Sequence, residues 1–413
     1  MQLIQQAEQA KRAALSMMTL PTAVKDEALC RMADALECNA ETVLSENRKD
    51  LLHAEEEGKN QAFLDRLRLD KKRIAGMANG LRKVAALPDP IGGAVSVVKR
   101  PNGLSIEKRR VPLGVIGIIF EARPNVTADA IGLCLKSGNA CILRGGSEAI
   151  HSNLAIARLL SQTAYLAGVP EGAVQMLSDT SRETAGEMMH LNGYIDVLIP
   201  RGGAGLIRSV VAQATVPVIQ TGVGVCHAYV EETADLAMAA DIVENGKCSR
   251  PSVCNALETL LVDRAIAAKA LPVIAAKLEK YPVELRCDGA AKAFLPDSID
   301  ACEADWSAEY GDYILSVKVV DGIDSAIAHI NQYGTGHSEC IITNDYFKAE
   351  QFLNDVDAAA VYVNASTRFT DGEEFGLGAE IGISTQKLHA RGPMGLNELT
   401  SVKYAIRGSG QIR

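Results

Sequence analysis

The sequence lacks the signatures of several specialised protein classes. No two of its ten cysteines have the C-x-x-C spacing, so neither a zinc knuckle nor a redox-active dithiol is predicted. The start, M-Q-L-I-Q-Q-A-E-Q-A-K-R, does not resemble a secretory signal, and no apolar run is long enough to span a bilayer. A basic excess is also missing, because the net charge is −9. A general binder of nucleic acid or anionic membranes is therefore excluded, and we expect a cytoplasmic protein with reduced thiols and no metal site.

The common glycine fingerprints for nucleotides are absent as well. No G-x-G-x-x-G follows a predicted strand, and no G-x-x-x-x-G-K-[ST] occurs. The nearest candidate is R-G-G-A-G-L at 201–206, where two glycines stand between a predicted strand and a predicted helix. An ordinary glycine-rich turn explains this stretch equally well. A dinucleotide would therefore have to bind without the usual motif.

The 413 residues exceed one ordinary hydrophobic core and predict two or three domains. The first 80 or so residues have helical periodicity, as in L-C-R-M-A-D-A-L at 29–36. From 111 onward, strand-like and helix-like patterns alternate, which predicts parallel α/β sheets. The predicted strands are 115–120, 140–143, 195–199, 216–219, 257–262, 314–319, 340–343 and 360–363. The predicted helices are 127–137, 149–167, 181–191, 204–213, 264–280, 323–332 and 346–355.

Two stretches with a period of two stand apart from this alternation. Residues 95–112 contain the turn Pro101-Asn102-Gly103, and T-S-V-K-Y-A-I at 400–406 alternates in the same way. Isolated ribbons leave their edges unpaired. We therefore expect the two stretches to share a sheet, either within the chain or with another subunit.

One cysteine has surroundings that favour reactivity. Cys254 follows K-C-S-R-P at 247–251, and positive charge from Lys247 and Arg250 would lower the pKa of a nearby thiol. The strand-like run after it could hold the loop rigidly. Local sequence alone leaves Cys248 as a competing nucleophile and leaves packing as the alternative for both thiols.

Longer stretches resemble the aldehyde dehydrogenase superfamily over nearly the whole chain. The matching stretches are P-L-G-V-I-G-I-I-F-E-A-R-P-N-V-T at 112–127, K-S-G-N-A-C-I-L-R-G-G-S-E-A at 136–149, P-V-I-Q-T-G-V-G at 217–224, R-P-S-V-C-N-A-L-E-T at 250–259, W-S-A-E-Y-G-D at 306–312, and V-N-A-S-T-R-F-T-D-G-E-E-F-G-L-G-A-E-I-G-I-S-T-Q at 363–386. Within the superfamily, the resemblance is closest to members that reduce γ-glutamyl phosphate to glutamate 5-semialdehyde in proline biosynthesis.

The resemblance implies an α/β fold with two parallel-sheet domains and a β-hairpin oligomerisation arm. The NADP(H)-binding domain would comprise 1–93 and 112–223, and the catalytic domain 224–392. The arm would comprise 94–111 and 393–413. A homo-oligomer, a dimer or a tetramer, is implied.

The resemblance also assigns the chemistry. Cys254 stands at the nucleophile's position, whereas Cys248 falls outside the motif and is expected to be structural. Asn125, in R-P-N-V-T, stands where an asparagine holds the oxyanion together with the N–H of the cysteine. The alternative for Asn125 is a helix N-cap before T-A-D-A-I-G-L.

One departure from the pattern of oxidising members informs the reaction. Their general-base glutamate is replaced by Gln220 or a neighbour in Q-T-G-V-G, and glutamine cannot act as a base. Hydrolysis of a thioester would be poorly served, whereas a phosphorylating reductase needs no such base. The expected activity is NADPH-dependent reduction of γ-glutamyl phosphate through a Cys254 thioester. A hydrolytic or CoA-acylating aldehyde dehydrogenase and a non-catalytic relative remain alternatives.

Ligand contacts are implied by the same resemblance. Arg144 would reach the adenosine ribose and a 2′-phosphate, which favours NADP(H) over NAD(H), with Ser147 beside it. Gly202 and Gly203 would pass under the pyrophosphate, and Glu309 would bind the nicotinamide ribose. The substrate candidates are Arg123, Arg250, Ser366 and Arg368. Because the chain resembles only a reductase, a glutamate 5-kinase would be a separate partner.

Overall fold

The computed structural model describes residues 2–121 and 123–413. Met1 and Ala122, which the predicted NADP(H)-binding domain includes, lie outside the described residues. The chain forms two compact units. The first unit runs to Thr221 and also contains Gly376–Gly382 and Met394–Arg413, and the second contains Gly222–Phe375 and Ile383–Pro393. The predicted roles of the chain segments in cofactor binding, catalysis and oligomerisation stay predictions.

The helices agree with the predicted helical periodicity over most of the described chain. Their bounds are α1 Gln2–Met17, α2 Thr22–Cys38, α3 Ala40–Glu56, α4 Gln61–Leu67, α5 Lys71–Ala86, α6 Pro124–Lys136, α7 Ile150–Leu166, α8 Arg182–Met189, α9 Ala204–Gln213, α10 Leu236–Cys248, α11 Ala267–Leu278, α12 Gly289–Lys292, α13 Gly322–Tyr333 and α14 Tyr346–Asp355. The apolar stripe of α2 is buried at Leu29, Met32 and Leu36, as its spacing predicts. None of these helices has the length and apolar composition that a bilayer span requires.

The strands are shorter, and several of them escaped prediction. Their bounds are β1 Ala94–Lys99, β2 Ser105–Pro112, β3 Val115–Phe120, β4 Ala140–Gly145, β5 Val174–Met176, β6 Val197–Arg201, β7 Cys226–Val230, β8 Leu257–Asp263, β9 Glu284–Cys287, β10 Ile299–Asp300, β11 Ile314–Val320, β12 Ser338–Ile342, β13 Ala360–Val363, β14 Ile383–Ser384, β15 Gly392–Pro393 and β16 Thr400–Arg407. The strand predicted at 216–219 is wrong: this stretch makes a single bridge, between Val218 and Leu198.

The first unit contains a parallel sheet in the order β5-β4-β3-β6. All six residues of β3 are buried, which explains its unbroken apolar run. Because the strands are parallel, the carboxyl ends of β3, β4 and β6 meet at one edge. In open α/β sheets this edge is where ligands bind.

The two ribbon-like stretches share one sheet, as predicted. The order is β1-β2-β16, with β2 antiparallel to both neighbours. Gly103 in the turn has a φ of 90°, which suits glycine and explains the Asn-Gly signal. Every residue of β1 is exposed.

The second unit contains a parallel sheet in the order β10-β9-β11-β8-β7-β12-β13. An apolar cluster that includes residues of α10 and α11 packs with one set of strand side chains, and a cluster that includes residues of α13 and α14 packs with another. The loops that precede β7, β8 and β12 lie at the amino edge of this sheet. Cys254 lies in the loop before β8, and Gly224 lies just before β7.

Candidate active site

Cys254 lies in the short loop between the end of α10 and the start of β8. Its side chain is half-buried, whereas Cys248 at the end of α10 is 4% exposed and belongs to an apolar cluster. Burial raises the pKa of Cys248 to about 11, which keeps it a neutral thiol. All ten cysteines lie in the described part of the chain, and none is in a disulfide. Of these two neighbouring thiols, only Cys254 has the partial exposure that a nucleophile needs.

The main chain of Cys254 is held by the strand next to its own. Gly224 lies just before β7, and a Cβ atom added to it would come within 3.0 Å of the Cα, C and O atoms of Cys254. The thiol of Cys226 donates to the carbonyl oxygen of Cys254 at 3.3 Å. Burial raises the pKa of Cys226 well above its usual value, so this thiol keeps its proton. The backbone of the candidate nucleophile is therefore closely packed.

Asn255 joins the Cys254 loop to the segment that begins with Ser366. Its amide nitrogen donates to the carbonyl oxygens of Arg368, at 3.2 Å, and Thr370, at 2.9 Å. Its own carbonyl oxygen accepts from the hydroxyl of Thr367 at 2.8 Å. The sequence reasoning missed Asn255, although it directly follows the predicted nucleophile.

The structure brings Arg250 and Arg368 into the surroundings of the same loop. The Nε of Arg368 donates to the hydroxyl of Ser249 at 3.1 Å, and its Nη1 donates to Oδ1 of Asn255. Burial lowers the pKa of Arg368, and Arg250 lowers it further, while interactions with Cys254 and Asp371 oppose this shift. Arg250 in the loop and Arg368 beside it place two cations in the region of the thiol, which suits an anionic ligand.

Ser366 and Lys247 have structural partners in this region. The Ser366 hydroxyl is buried and accepts from the N–H of Arg368 at 3.3 Å, so it caps a short 3-10 helix at Thr367–Phe369. The ammonium of Lys247 lies 2.6 Å from Glu258, with both side chains buried. Burial lowers the pKa of Lys247 and raises that of Glu258. The expectation that Lys247 activates the thiol therefore needs correction, because its charge is paired with Glu258.

Glu309 is linked to the Cys254 loop through Gly224. Its exposed carboxylate accepts a hydrogen bond from the N–H of Gly224 at 2.9 Å. Glu309, the predicted ribose-binding residue, therefore contacts Gly224, which in turn packs against the backbone of Cys254. This proximity is what a residue that holds the reactive end of a cofactor would show.

Asn125 lies in the first unit, at the start of α6. The helix begins at Pro124, and its N-cap position is Arg123, whose half-buried side chain makes no capping bond. The N-cap interpretation of Asn125 is therefore wrong. Its exposed amide nitrogen donates to Asp129 at 3.1 Å. Burial raises the pKa of Asp129 to about 6, and the bond from Asn125 opposes the rise.

The turn at Gly202 and Gly203 receives a carboxylate. Gly203 is the N-cap residue of α9, and its N–H donates to Glu121 at 2.8 Å. A Cβ atom on Gly202 would lie 2.6 Å from the same carboxylate oxygen, so only glycine admits Glu121 there. The helix N-terminus favours this negative charge. Sequence reasoning missed Glu121, although F-E-A-R directly after β3 places it at the ligand-binding edge.

Arg144 lies at the same edge, next to the last residue of β4. Its Nη2 donates to the carbonyl oxygens of Thr180 and Ser181, and burial lowers its pKa. Ser147 is exposed at the start of a 3-10 helix, Ser147–Ala149. The carboxylate of Glu148 folds back toward Gly146 and favours the charged form of Arg144. The first unit thus collects a helix N-terminus and an arginine, which suit a phosphorylated ligand.

Comparisons with known proteins place the chain in one family. The family model for the aldehyde dehydrogenase family matches residues 1–292 and 307–404. The chain is 59% identical over 412 residues to a γ-glutamyl phosphate reductase of Clostridium botulinum, covering 100% of both chains. It is 58% identical over 407 residues to the protein of the same name from Carboxydothermus hydrogenoformans, covering 98% of each. The crystal structure of γ-glutamyl phosphate reductase from Thermotoga maritima matches with a TM-score of 0.97 and 46% identity, covering 100% of this chain and 99% of that one.

Proposed function

The chain belongs to the aldehyde dehydrogenase family, and we propose that it reduces γ-glutamyl phosphate to glutamate 5-semialdehyde and phosphate with NADPH, a step of proline biosynthesis. The observation that carries this function is the half-buried Cys254 in a loop that contains Arg250 and that Arg368 contacts through Ser249 and Asn255. A thiol beside two cations suits an acyl phosphate, which carries negative charge at both ends. The relatives that match the full chain bear the name of this activity.

The chemistry begins with the Cys254 thiolate, which attacks the γ-carbonyl carbon of the substrate. The carbonyl electron pair moves to oxygen, and we assign Asn125 and the N–H of Cys254 to hold this oxyanion. The oxyanion collapses and expels phosphate, which leaves a thioester on the sulfur. A reduced nicotinamide, when bound, supplies the hydride that converts the thioester into a thiohemiacetal. Collapse of the thiohemiacetal releases the aldehyde and regenerates the thiolate.

The chain offers no carboxylate at the place of the hydrolytic base. Gln220 is half-buried in the loop that leads toward the second unit, and an amide cannot take a proton from water at neutral pH. Phosphate leaves with little need for protonation, so the reductase reaction is unaffected. This difference favours the reductase over an aldehyde dehydrogenase that hydrolyses its thioester.

The aldehyde dehydrogenase family uses a nicotinamide cofactor, and the first unit has groups that fit one. The hydrogen bond from the N–H of Gly203 to the Glu121 carboxylate supports a preference for negative charge at the turn before α9. We propose Gly202 and Gly203 for the pyrophosphate, and Arg144 with Ser147 for the adenosine ribose and its 2′-phosphate. Arg144 is the basis for NADPH over NADH, because a guanidinium binds a phosphate dianion strongly. We propose Glu309 for the nicotinamide ribose.

For the substrate, we propose Arg368 and Ser366 at the α-carboxylate and Arg250 and Arg123 at the phosphate. Arg368 is preferred for the carboxylate because two of its donor groups are already fixed, which orients the planar guanidinium. A cytoplasmic location, assembly into a homo-oligomer and a separate glutamate 5-kinase remain part of the proposal.

The reaction run in reverse tests this function. Purified protein would be mixed with NADP⁺ and glutamate 5-semialdehyde, and NADPH formation would be followed in three arms: with phosphate, with CoA and with neither. Turnover that requires phosphate supports the reductase. Turnover with neither addition would indicate hydrolysis, and turnover with CoA alone would indicate an acylating dehydrogenase. Arg144→Ala should lower the preference for NADP⁺ over NAD⁺ by roughly tenfold or more, because a charged hydrogen bond is lost.

A further inference from the structure

We propose that Asn255 is a positioning residue that orients Arg368 for the carboxylate of the substrate. The inference rests on the proposed function, in which Arg368 binds the α-carboxylate. Asn255 follows the nucleophile directly in sequence and is 4% exposed. It therefore connects the reacting thiol with the residue that fixes the other end of the substrate.

The contacts of Asn255 reach both the main chain and the side chain of Arg368. The amide nitrogen donates to the carbonyl oxygen of Arg368 at 3.2 Å, and Oδ1 accepts from the Nη1 of the same residue. The Nε of Arg368 is bound to Ser249 at 3.1 Å. In the described part of the chain, no hydrogen bond occupies Nη2. Two of the three guanidinium nitrogens are thus fixed within the protein, and the third can meet a carboxylate.

The segment around Arg368 is anchored by the sheet on its far side. The hydroxyl of Thr370 accepts from Ser338 at 2.7 Å and lies 2.8 Å from the hydroxyl of Tyr362. Asn255 adds the near-side anchor by donating to the carbonyl oxygen of Thr370 at 2.9 Å. Both anchors act on Thr370, two residues after Arg368, and Asn255 also binds the carbonyl oxygen of Arg368 itself, so the position of this segment depends on the amide of Asn255.

An amide suits this task better than a carboxylate. Asparagine supplies a donor for the two carbonyl oxygens and a neutral acceptor for Nη1. An aspartate would lose the donor and would pair its charge with the guanidinium, where it would compete with the substrate's carboxylate. A neutral acceptor orients Arg368 and leaves its charge for the ligand.

The test compares Asn255→Ala, Arg368→Ala and the double variant in the phosphate-dependent reverse reaction. Asn255→Ala is expected to raise the KM for glutamate 5-semialdehyde by about tenfold or more, with kcat within about twofold of wild type. The rate of alkylation of Cys254 by neutral iodoacetamide should stay within about twofold, because the thiol itself is not displaced. The double variant should have the KM of Arg368→Ala, since Asn255 acts through that residue. Asn331→Ala is the matched control, because Asn331 also binds main-chain groups but lies at α13.

Three results would overturn the proposal. A fall in kcat together with slower alkylation would make Asn255 a structural support of the loop. Additive effects in the double variant would show that Asn255 acts independently of Arg368. A normal KM in Arg368→Ala would remove the arginine from substrate binding. Failure of the proposed function is a separate outcome, because the wild-type protein would then lack phosphate-dependent turnover.

Discussion

Replacing Gly224 by alanine tests whether the close packing behind Cys254 supports catalysis. Gly224 is buried just before β7, and its missing side chain faces the backbone of Cys254. A Cβ atom would lie 2.8 Å from the Cα of Cys254 and closer still to its carbonyl group. Real Cβ contacts below 3.0 Å are essentially never seen, so one of the two backbones must move. The atoms that the added Cβ would meet are backbone atoms of Cys254, so no flexible side chain can move aside to make room.

The size of the effect follows from this geometry. A Cβ atom on Gly224 would lie 1.5 Å from the carbonyl oxygen of Cys254, so the two backbones must separate by more than about 1 Å. A misplacement of that size in a reacting group costs about 10²-fold in rate. We therefore expect Gly224→Ala to lower kcat by about 10²-fold or more, which corresponds to about 2.7 kcal/mol in the barrier. The assay is phosphate-dependent NADPH formation from glutamate 5-semialdehyde. Gly289→Ala is the matched control, because a Cβ atom on Gly289 would have no neighbour within 4 Å.

A thermal melt distinguishes an unfolded Gly224→Ala protein from a folded one that has lost catalytic activity. The variant should melt as a folded protein and should alkylate more slowly at Cys254 than the Gly289→Ala control. A folded Gly224→Ala protein with kcat and alkylation rate equal to wild type would contradict a catalytic role for this packing. The nucleophile would then tolerate displacement, and the packing of Gly224 would serve stability alone.

Three further predictions concern other residues. Asn125→Ala should lower kcat by about 10²- to 10³-fold with little change in KM, because it removes an oxyanion donor, and unchanged steady-state kinetics would contradict that role. Glu258→Ala should lower the free energy of unfolding by about 3–5 kcal/mol in urea, because it leaves the Lys247 ammonium buried and unpaired, and a loss within error would contradict this. Burial raises the pKa of Asp129 from 3.8 to about 6, so the folded state binds more protons than the unfolded state across this range, and its stability falls as pH rises through it. Asp129→Asn should therefore raise the melting temperature more at about pH 7.5 than at about pH 4, and an equal change at both would be evidence against the shift.

The fold was predictable wherever apolar periodicity decides the local structure. The helices α9 and α14 and the strands β3 and β13 have their predicted bounds, because each buries a regular apolar pattern between clear loops. The apolar stretch 216–219 does not form a strand. It makes one bridge, in which the N–H of Leu198 donates to Pro217 and the N–H of Ile219 donates to Leu198, and Pro217 has no N–H with which to extend the pairing.

Helix α10 was not predicted from the sequence. It contains Gly246 near its end, which in sequence resembles a helix stop. In the structure, a Cβ atom on Gly246 would lie 3.3 Å from the Cβ of Leu257, so the glycine lets the helix approach β8 closely. The need for a glycine at this position comes from tertiary packing against β8, which the neighbouring sequence does not reveal.

Within the candidate site, the sequence predicts residues that belong to a local motif and does not predict residues whose partners are distant in the chain. Cys254 could be chosen over Cys248 because the family resemblance covers its loop, and the burial of Cys248 agrees. Glu121 and Asn255 could not be found in this way, because their partners, Gly203 and Arg368, are 82 and 113 residues away in the chain. Lys247 was misjudged because nothing in the sequence places Glu258 against it.

The central claim is a thioester on Cys254 that phosphate discharges. The most direct measurement is mass spectrometry of the protein after mixing with NADP⁺ and glutamate 5-semialdehyde without phosphate. We expect a γ-glutamyl adduct on the peptide that contains Cys254, and we expect it to disappear when phosphate is added. Cys254→Ala should carry no adduct, and Cys248→Ala should carry a normal one. An adduct on Cys248, or turnover without any acylated thiol, would contradict the Cys254 thioester.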